Sequence, residues 1–265
     1  MNEIYIGLDF SLKSPAICIF NNNNYKWISH CSKVKSPKKE VLIQEEVAAL
    51  DDVVMEYQGD LIRGKDYSEN DYFDMLNYIT HANKIIEMIL DTFTTEDLDN
   101  SSFHFGFEGY SFNSFTRSDN IIDIVAATTI MKDRILSLGL TSNITVDILS
   151  PASLKQFAGY AKFDKIDMFD VFTGQYNYIT EKWSDAIQKD YEKKVAKNKN
   201  SVFSLDYFDD SLIGQFYSYC LNHTINRDVK KPKVPKPIDD MIDAYFVCCW
   251  LREKFESKSF KARDL

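Results

Sequence analysis

Apolar and polar positions alternate along three consecutive short stretches at the start of the chain. Across residues 4–10, Ile4, Ile6 and Leu8 alternate with Tyr5, Gly7 and Asp9, the two-residue period of a β-strand. Residues 15–20 predict a second strand, which runs into the tract Asn21, Asn22, Asn23, Asn24. Asn tolerates the left-handed backbone that a tight turn needs, so the chain is expected to reverse there into a third strand over 25–31. The first strand is apolar on both faces except at its end, which predicts a central place in an antiparallel meander.

Residues 32–71 are polar and predict no defined element. Over 72–93 the spacing becomes helical, with Met75, Ile79, Ile86 and Ile89 among the apolar positions. Phe103, Phe105 and Phe107 then alternate with His104, Gly106 and Glu108, a fourth strand. Ser118 or Asp119 can cap a helix over 121–138, and Gly139 suits its end. A fifth strand is expected over 144–149, followed by Ser150-Pro151, a helix start with Pro near the first position. Further helices are expected over about 164–176 and 237–255. The charged, tyrosine-rich stretch between them, about 177–236, has weak periodicity and reads as a partly helical insertion in a single domain spanning 1–265. The sum is an α/β layer architecture: a five-stranded mixed sheet, ordered three-two-one-four-five, flanked by helices.

Composition agrees with a packed domain. Of 265 residues, 45% are apolar and 14% aromatic, with only 9 Gly and 6 Pro, which is globular rather than disordered. The longest apolar run, 244–251, falls well short of the about 18 residues that a membrane span requires. No basic leader precedes the first apolar run, which contains Asp9, so no secretory signal is expected. The five cysteines fit neither a disulfide framework nor a zinc site, and the four histidines are scattered. Reduced thiols in a cytoplasmic protein are the expectation. A net charge of -9 speaks at first against a polyanionic partner. The lysines are clustered, however: Lys26, Lys33, Lys35, Lys38 and Lys39; Lys193, Lys194, Lys197 and Lys199; and Arg227, Lys230, Lys231, Lys233 and Lys236.

Four carboxylates change the picture. Asp9 ends the first strand and Glu108 the fourth, and these two strands are neighbours in the expected order. Asp240 and Asp243, three apart, share a helix face. Each has an ordinary reading: an Asp after a strand often serves a turn, and acids in a first helical turn answer the helix dipole. Glu108 among strand phenylalanines and Asp243 in an almost wholly apolar helix are harder to read so. A buried carboxylate needs a basic partner, a proton or a metal. Several converging acids favour a hard divalent cation, and two such ions about 3.5–4 Å apart can serve phosphodiester cleavage.

These residues resemble the RuvC-like Holliday junction resolvases, bacteriophage-type members in particular. Ile6-Gly7-Leu8-Asp9-Phe10-Ser11-Leu12-Lys13-Ser14 is similar to the family's opening strand and turn, and Phe107-Glu108-Gly109-Tyr110 to its second acidic motif. Ser150-Pro151 through Leu154-Lys155, then Gly159 and Asp164-Lys165, resembles its basic segment, and Asp239-Asp240-Met241-Ile242-Asp243-Ala244 its terminal acid pair. The matches occur in family order; 32–71 and about 177–236 lie outside them. The resemblance implies a ribonuclease-H-like fold and a structure-specific endonuclease that hydrolyses branched DNA as a two-fold dimer. It implies two Mg²⁺ ions, replaceable by Mn²⁺, held by Asp9, Glu108, Asp243 and Asp240, with Asp239 the alternative to Asp240. It further implies that Lys155 and Lys165 meet phosphates near the scissile bond, Lys165 stabilising transition-state charge.

Departures from the pattern are specific. The aromatic wedge that bacterial members carry three residues past the glutamate is Ser111 here, with Tyr110 and Phe112 flanking it as candidates to stack in DNA. A second glycine of the basic segment is Ala161. Flaps, forks or packaging intermediates are alternative substrates, and a catalytically silent DNA-binding scaffold is the alternative to an enzyme. A phosphotransferase of the actin and sugar-kinase type would need two glycine-rich phosphate loops, which the dispersed glycines do not supply, so no nucleotide cofactor is expected. The motif flavour and Asn/Lys/Ile/Tyr-rich usage point to a viral gene acting in a bacterial cytoplasm.

Overall fold

The computed structural model describes residues 2–60, 62–109, 119–138, 143–175, 189, 214–223, 225–230 and 232–256. Six strands form one mixed sheet: β1 (Asn2–Asp9), β2 (Ala16–Asn21), β3 (Asn24–Cys31), β4 (Val53–Tyr57), β5 (Ser101–Glu108) and β6 (Ile144–Leu149), in the order β4-β3-β2-β1-β5-β6. Around them lie α1 (Lys38–Ala48), α2 (Tyr67–Leu90), α3 (Thr95–Asn100), α4 (Asp119–Leu136), α5 (Pro151–Ala158), α6 (Lys165–Phe172), α7 (Gln215–Asn222) and α8 (Ile238–Glu256).

The sheet has one strand more than the alternation of the sequence predicts. The five expected strands keep their relative order, and β4 joins the outer edge of β3 in parallel, Trp27 opposite Val53. Only Val53 of β4 is buried, so this short edge strand carries no alternation to read. The β2–β3 turn is made by Asn22 and Asn23, both at positive φ (49° and 62°), as the Asn tract leads one to expect.

The pleat sends the two faces of β1 and β5 into different cores. Ile4, Ile6, Leu8, Phe103, Phe105 and Phe107 pack with α2 and α4 on one side. On the other side Tyr5 packs with α8, and Gly7 and Gly106 lie side by side in the parallel register. These glycines form a trough. A Cβ on Gly7 would stand 2.1 Å from the Ala244 carbonyl oxygen, and one on Gly106 would stand 2.8 Å from a Val247 methyl. Helix α8 therefore sits directly on the strand backbone, and α5 and α6 pack against it from outside. That sandwiching buries every residue from Ile238 to Leu251 and explains why α8 shows no amphipathic stripe.

Several sequence expectations change here. The polar stretch 32–71 contains α1, β4 and the start of α2. Helix α2 begins at Tyr67, capped by Asp66, whose side chain accepts from the Glu69 N–H at 2.9 Å. Its first turns leave Tyr72 and Met75 exposed, so apolar periodicity is weak there. Helix α6 ends at Phe172 rather than near 176, because Gly174 adopts φ +70° and turns the chain. The 177–236 stretch is not peripheral throughout: α7 sends Phe216 into the core against Trp27 at 4.8 Å between ring centroids. All five cysteines are buried free thiols. Among the described residues, no helix is long and apolar enough to cross a membrane.

Candidate metal centre

Asp9 and Glu108 are the next residues after the paired Leu8 and Phe107, at the carboxyl ends of two adjacent parallel strands. Their side chains continue the faces of Gly7 and Gly106, toward α8. Because α8 is seated in the glycine trough, its N-terminal part crosses the strand ends and delivers Asp243, which is 3% exposed, beside them. One carboxylate oxygen each from Asp9, Glu108 and Asp243 lie within 4.8 Å of one another. Crevices at the carboxyl ends of parallel strands are where open α/β sheets commonly place ligand sites.

Two lysines close the site from the side. Lys165 opens α6, held there by a reciprocal capping box between Asp164 and Asp167, and its Nζ forms an ion pair with Asp243 Oδ2. Lys236, just before α8, pairs with Asp240 Oδ1 and, at 3.0 Å, with Asp239 Oδ2. Asp239 and Asp240 lie in the first turn of α8, where the helix dipole favours acids. Neither belongs to the converging triad. Asp240 acts on it through space, as the strongest repulsive charge on Asp9. Of the four acids expected to converge, Asp9, Glu108 and Asp243 do, while Lys165 and Lys236 neutralise part of the cluster. Among the described residues, no ion pair or hydrogen bond reaches the Asp9 and Glu108 carboxylates.

The electrostatics reflect this crowding. Burial, then the Asp240 and Glu108 charges, raise the Asp9 carboxyl well above the usual range. Glu108 is pushed up to about 7, first by burial and then by Asp243, with Lys165 and Lys155 opposing. Asp239 is raised to about 6 by burial and Asp240, and Asp243 is raised by burial against the pull of Lys165. Lys165 is held above its ordinary value: burial lowers it, but Asp243, Asp9, Asp239 and Glu108 outweigh that. Lys155, on α5, is thereby within electrostatic reach of Glu108. Asp240 Oδ2 and Asp239 Oδ1 are buried without a hydrogen-bond partner. Tyr110 and Phe112, the candidate stacking residues, lie outside the described residues. Lys236, visible in the sequence only as one lysine of a basic run, is the site residue that sequence reasoning missed; its signal was the i, i+3 and i, i+4 spacing to Asp239 and Asp240.

Compared with family models and with curated proteins, the chain matches none. What the site can do therefore rests on its chemistry. An all-oxygen set with two further unpaired buried oxygens suits a hard divalent cation rather than a soft metal, and such a cation fits the residues present.

The raised carboxyls make both stability and cation binding depend on pH. Their folded-state values exceed the unfolded ones, so their contribution to stability is greatest at low pH and is lost as pH rises, for Glu108 from about 4.5 through about 7. A bound cation reverses the penalty, since it needs the ionised form. The rise in melting temperature caused by 10 mM Mg²⁺ over EDTA is expected to be small at pH 5 and to grow steadily to pH 8, reaching about 5–10 °C where Mg²⁺ stands at roughly a hundred times its Kd. Differential scanning fluorimetry across that range tests it; an increment independent of pH would dissociate the cation from these acids.

Proposed function

We propose that this chain is a divalent-metal-dependent endonuclease of the RuvC-like, ribonuclease-H-like type, which hydrolyses phosphodiester bonds in branched DNA, four-way junctions foremost. The observation that carries the reading is the meeting of Asp9, Glu108 and Asp243, drawn from three distant parts of the chain, within 4.8 Å at one end of the sheet. The mixed six-stranded sheet is compatible with that fold, with β4 as an added edge strand.

In this reading Asp9, Glu108 and Asp243 hold one Mg²⁺. A second ion would draw on Asp240 or Asp239, whose unpaired oxygens are the remaining buried acceptors. A divalent cation held there supplies Lewis-acid polarisation of the scissile phosphate and of an attacking water. The protein's own groups do the rest. Lys165 Nζ, beside Asp243, faces the charge that builds on the phosphate oxygens in the transition state. Lys155 meets a neighbouring phosphate on the Glu108 side. Lys236 holds Asp240 and Asp239 in place at the start of α8. A two-fold dimer would present two such centres to symmetric strands of a junction; the dimer is part of the proposal.

The test is direct. Purified chain with Mg²⁺ or Mn²⁺ is expected to nick a fluorescent synthetic four-way junction at two symmetric positions, and EDTA is expected to abolish nicking. Binding without nicking under every metal condition would favour the silent scaffold instead. A preference for flaps or forks over junctions would keep the chemistry and change the substrate.

A further inference from the structure

We propose that the cleft between α1, α7 and the 225–236 segment binds an unpaired strand of DNA leading away from the cleavage site. This rests on the nuclease reading above and narrows its substrate to branched DNA with a single-stranded arm.

The cleft, about 1100 Å³, opens from the carboxylate cluster itself, since Lys165, Lys236 and Asp239 line both. Its volume is slightly above the roughly 300–1,000 Å³ of small-molecule sites. It has room for a few nucleotides of one strand.

Four lysines and four carboxylates line the cleft, and two of the lysines, Lys165 and Lys236, are paired with acids of the carboxylate cluster. Among its acids, Glu46 accepts from the Tyr219 hydroxyl at 2.9 Å and lies 3.6 Å from His223 Nε2. Asp164 is consumed by the amides of its own helix, at 2.8 and 2.9 Å, and Asp239 is paired with Lys236. Glu40 is the remaining acid. Lys39, on α1, and Lys233, in the segment before α8, line the cleft and have no partner among the described residues. Each of these two ammonium groups can meet a phosphate of a strand lying in the cleft.

The floor suits bases. Leu42, 46% exposed, lies there with Ile43 and Ile225. On the α7 wall the exposed His223 ring is stacked on Tyr219, centroids 4.0 Å apart and planes 22° apart, which extends an aromatic stack into the cleft. Stacking on such platforms is how single strands are held without sequence readout. The α1 and α7 walls come from 32–71 and 177–236, the stretches outside the family resemblance.

Fluorescence anisotropy of a labelled eight-nucleotide oligo(dT), with the whole chain in EDTA, tests the proposal. Wild type is expected to bind in a salt-dependent way. Lys39→Ala/Lys233→Ala should lower the log–log salt slope by roughly 1.4, two single-strand phosphate contacts. His223→Ala should weaken binding about fivefold or more. All three side chains are exposed, and matching melting temperatures check that the variants fold. In nicking assays with Mg²⁺, the double variant should lose activity on a flap and keep it on a closed four-way junction. An unchanged slope and affinity in the double variant, or equal loss on both substrates, overturns the cleft assignment while leaving the nuclease reading intact. That reading fails separately, if wild type nicks no branched substrate with any divalent metal, whatever the oligonucleotide does.

Discussion

Asp9→Asn is expected to lower junction nicking by at least about a hundredfold to a thousandfold, the usual cost of removing one preorganised charge contact to a transition state, and to make the metal-free protein more stable at pH 8. The two effects have one cause. Asp9 sits with Glu108 and Asp243 in a triad whose members repel, and burial plus the Asp240 and Glu108 charges raise its carboxyl well above the usual range. At pH 8 a carboxyl there weakens the fold, because burial and the neighbouring charges oppose the ionisation that the unfolded chain allows; an amide of the same shape removes that penalty while leaving one cation ligand too few. The variant should therefore melt above wild type in EDTA, gain little from Mg²⁺, and still bind a junction, since affinity comes from phosphate contacts elsewhere. Melting curves with and without Mg²⁺, run beside the nicking assay, measure all of this. An Asn variant that nicks at the wild-type rate would remove Asp9 from the metal site. One that melts below wild type without metal would contradict the repulsion described here.

Gly7→Ala is expected to damage both fold and site although it adds one methyl to a residue that supplies no ligand atom. The added Cβ would lie 2.1 Å from the Ala244 carbonyl oxygen and 2.4 Å from the Cys248 nitrogen. Both are backbone atoms, so no side chain can swing away, and α8 must lift from β1. Overpacking of this kind costs on the order of 3 kcal/mol, a fall in melting temperature of about 6–12 °C in a chain of this size. Because α8 carries Asp243 to Asp9, the displacement also spreads the triad, and nicking should fall even at temperatures where the variant is folded. Gly59→Ala is the control: nothing lies within 4 Å of its Cβ position, and it should melt with wild type. If Gly7→Ala also melts with wild type, the close seating of α8 is not what holds the carboxylates together.

Much of the frame was legible along the chain. The alternation in β1, the Asn turn, the phenylalanine ladder of β5, Ser150-Pro151 and the solidly apolar run after Asp243 each leave a local signature, because each meets its surroundings with a fixed period or a fixed turn chemistry. Glu108 and Asp243 stood out for the same reason: an acid inside an apolar pattern is a local anomaly that calls for a partner. What escaped had no such anomaly. Strand β4 buries only Val53, and α1 buries only Gln44 and Val47, so neither writes a period into the sequence. Helix α7 hid in a charged stretch, since three buried residues, Phe216, Tyr219 and Cys220, suffice to anchor it.

The sequence by itself determined which residues can bind a cation, since carboxylates at strand ends and in an apolar helix are chemistry that no packing changes. Only the tertiary structure decided which of them meet. Asp240, adjacent in sequence to a triad helix face, is drawn off by Lys236, while Asp9, Glu108 and Asp243, about a hundred or more positions apart, share one pocket. The physical reason lies in two glycines paired across adjacent strands: they let a helix approach to backbone contact, and that distance, which no local pattern encodes, sets the geometry of the site.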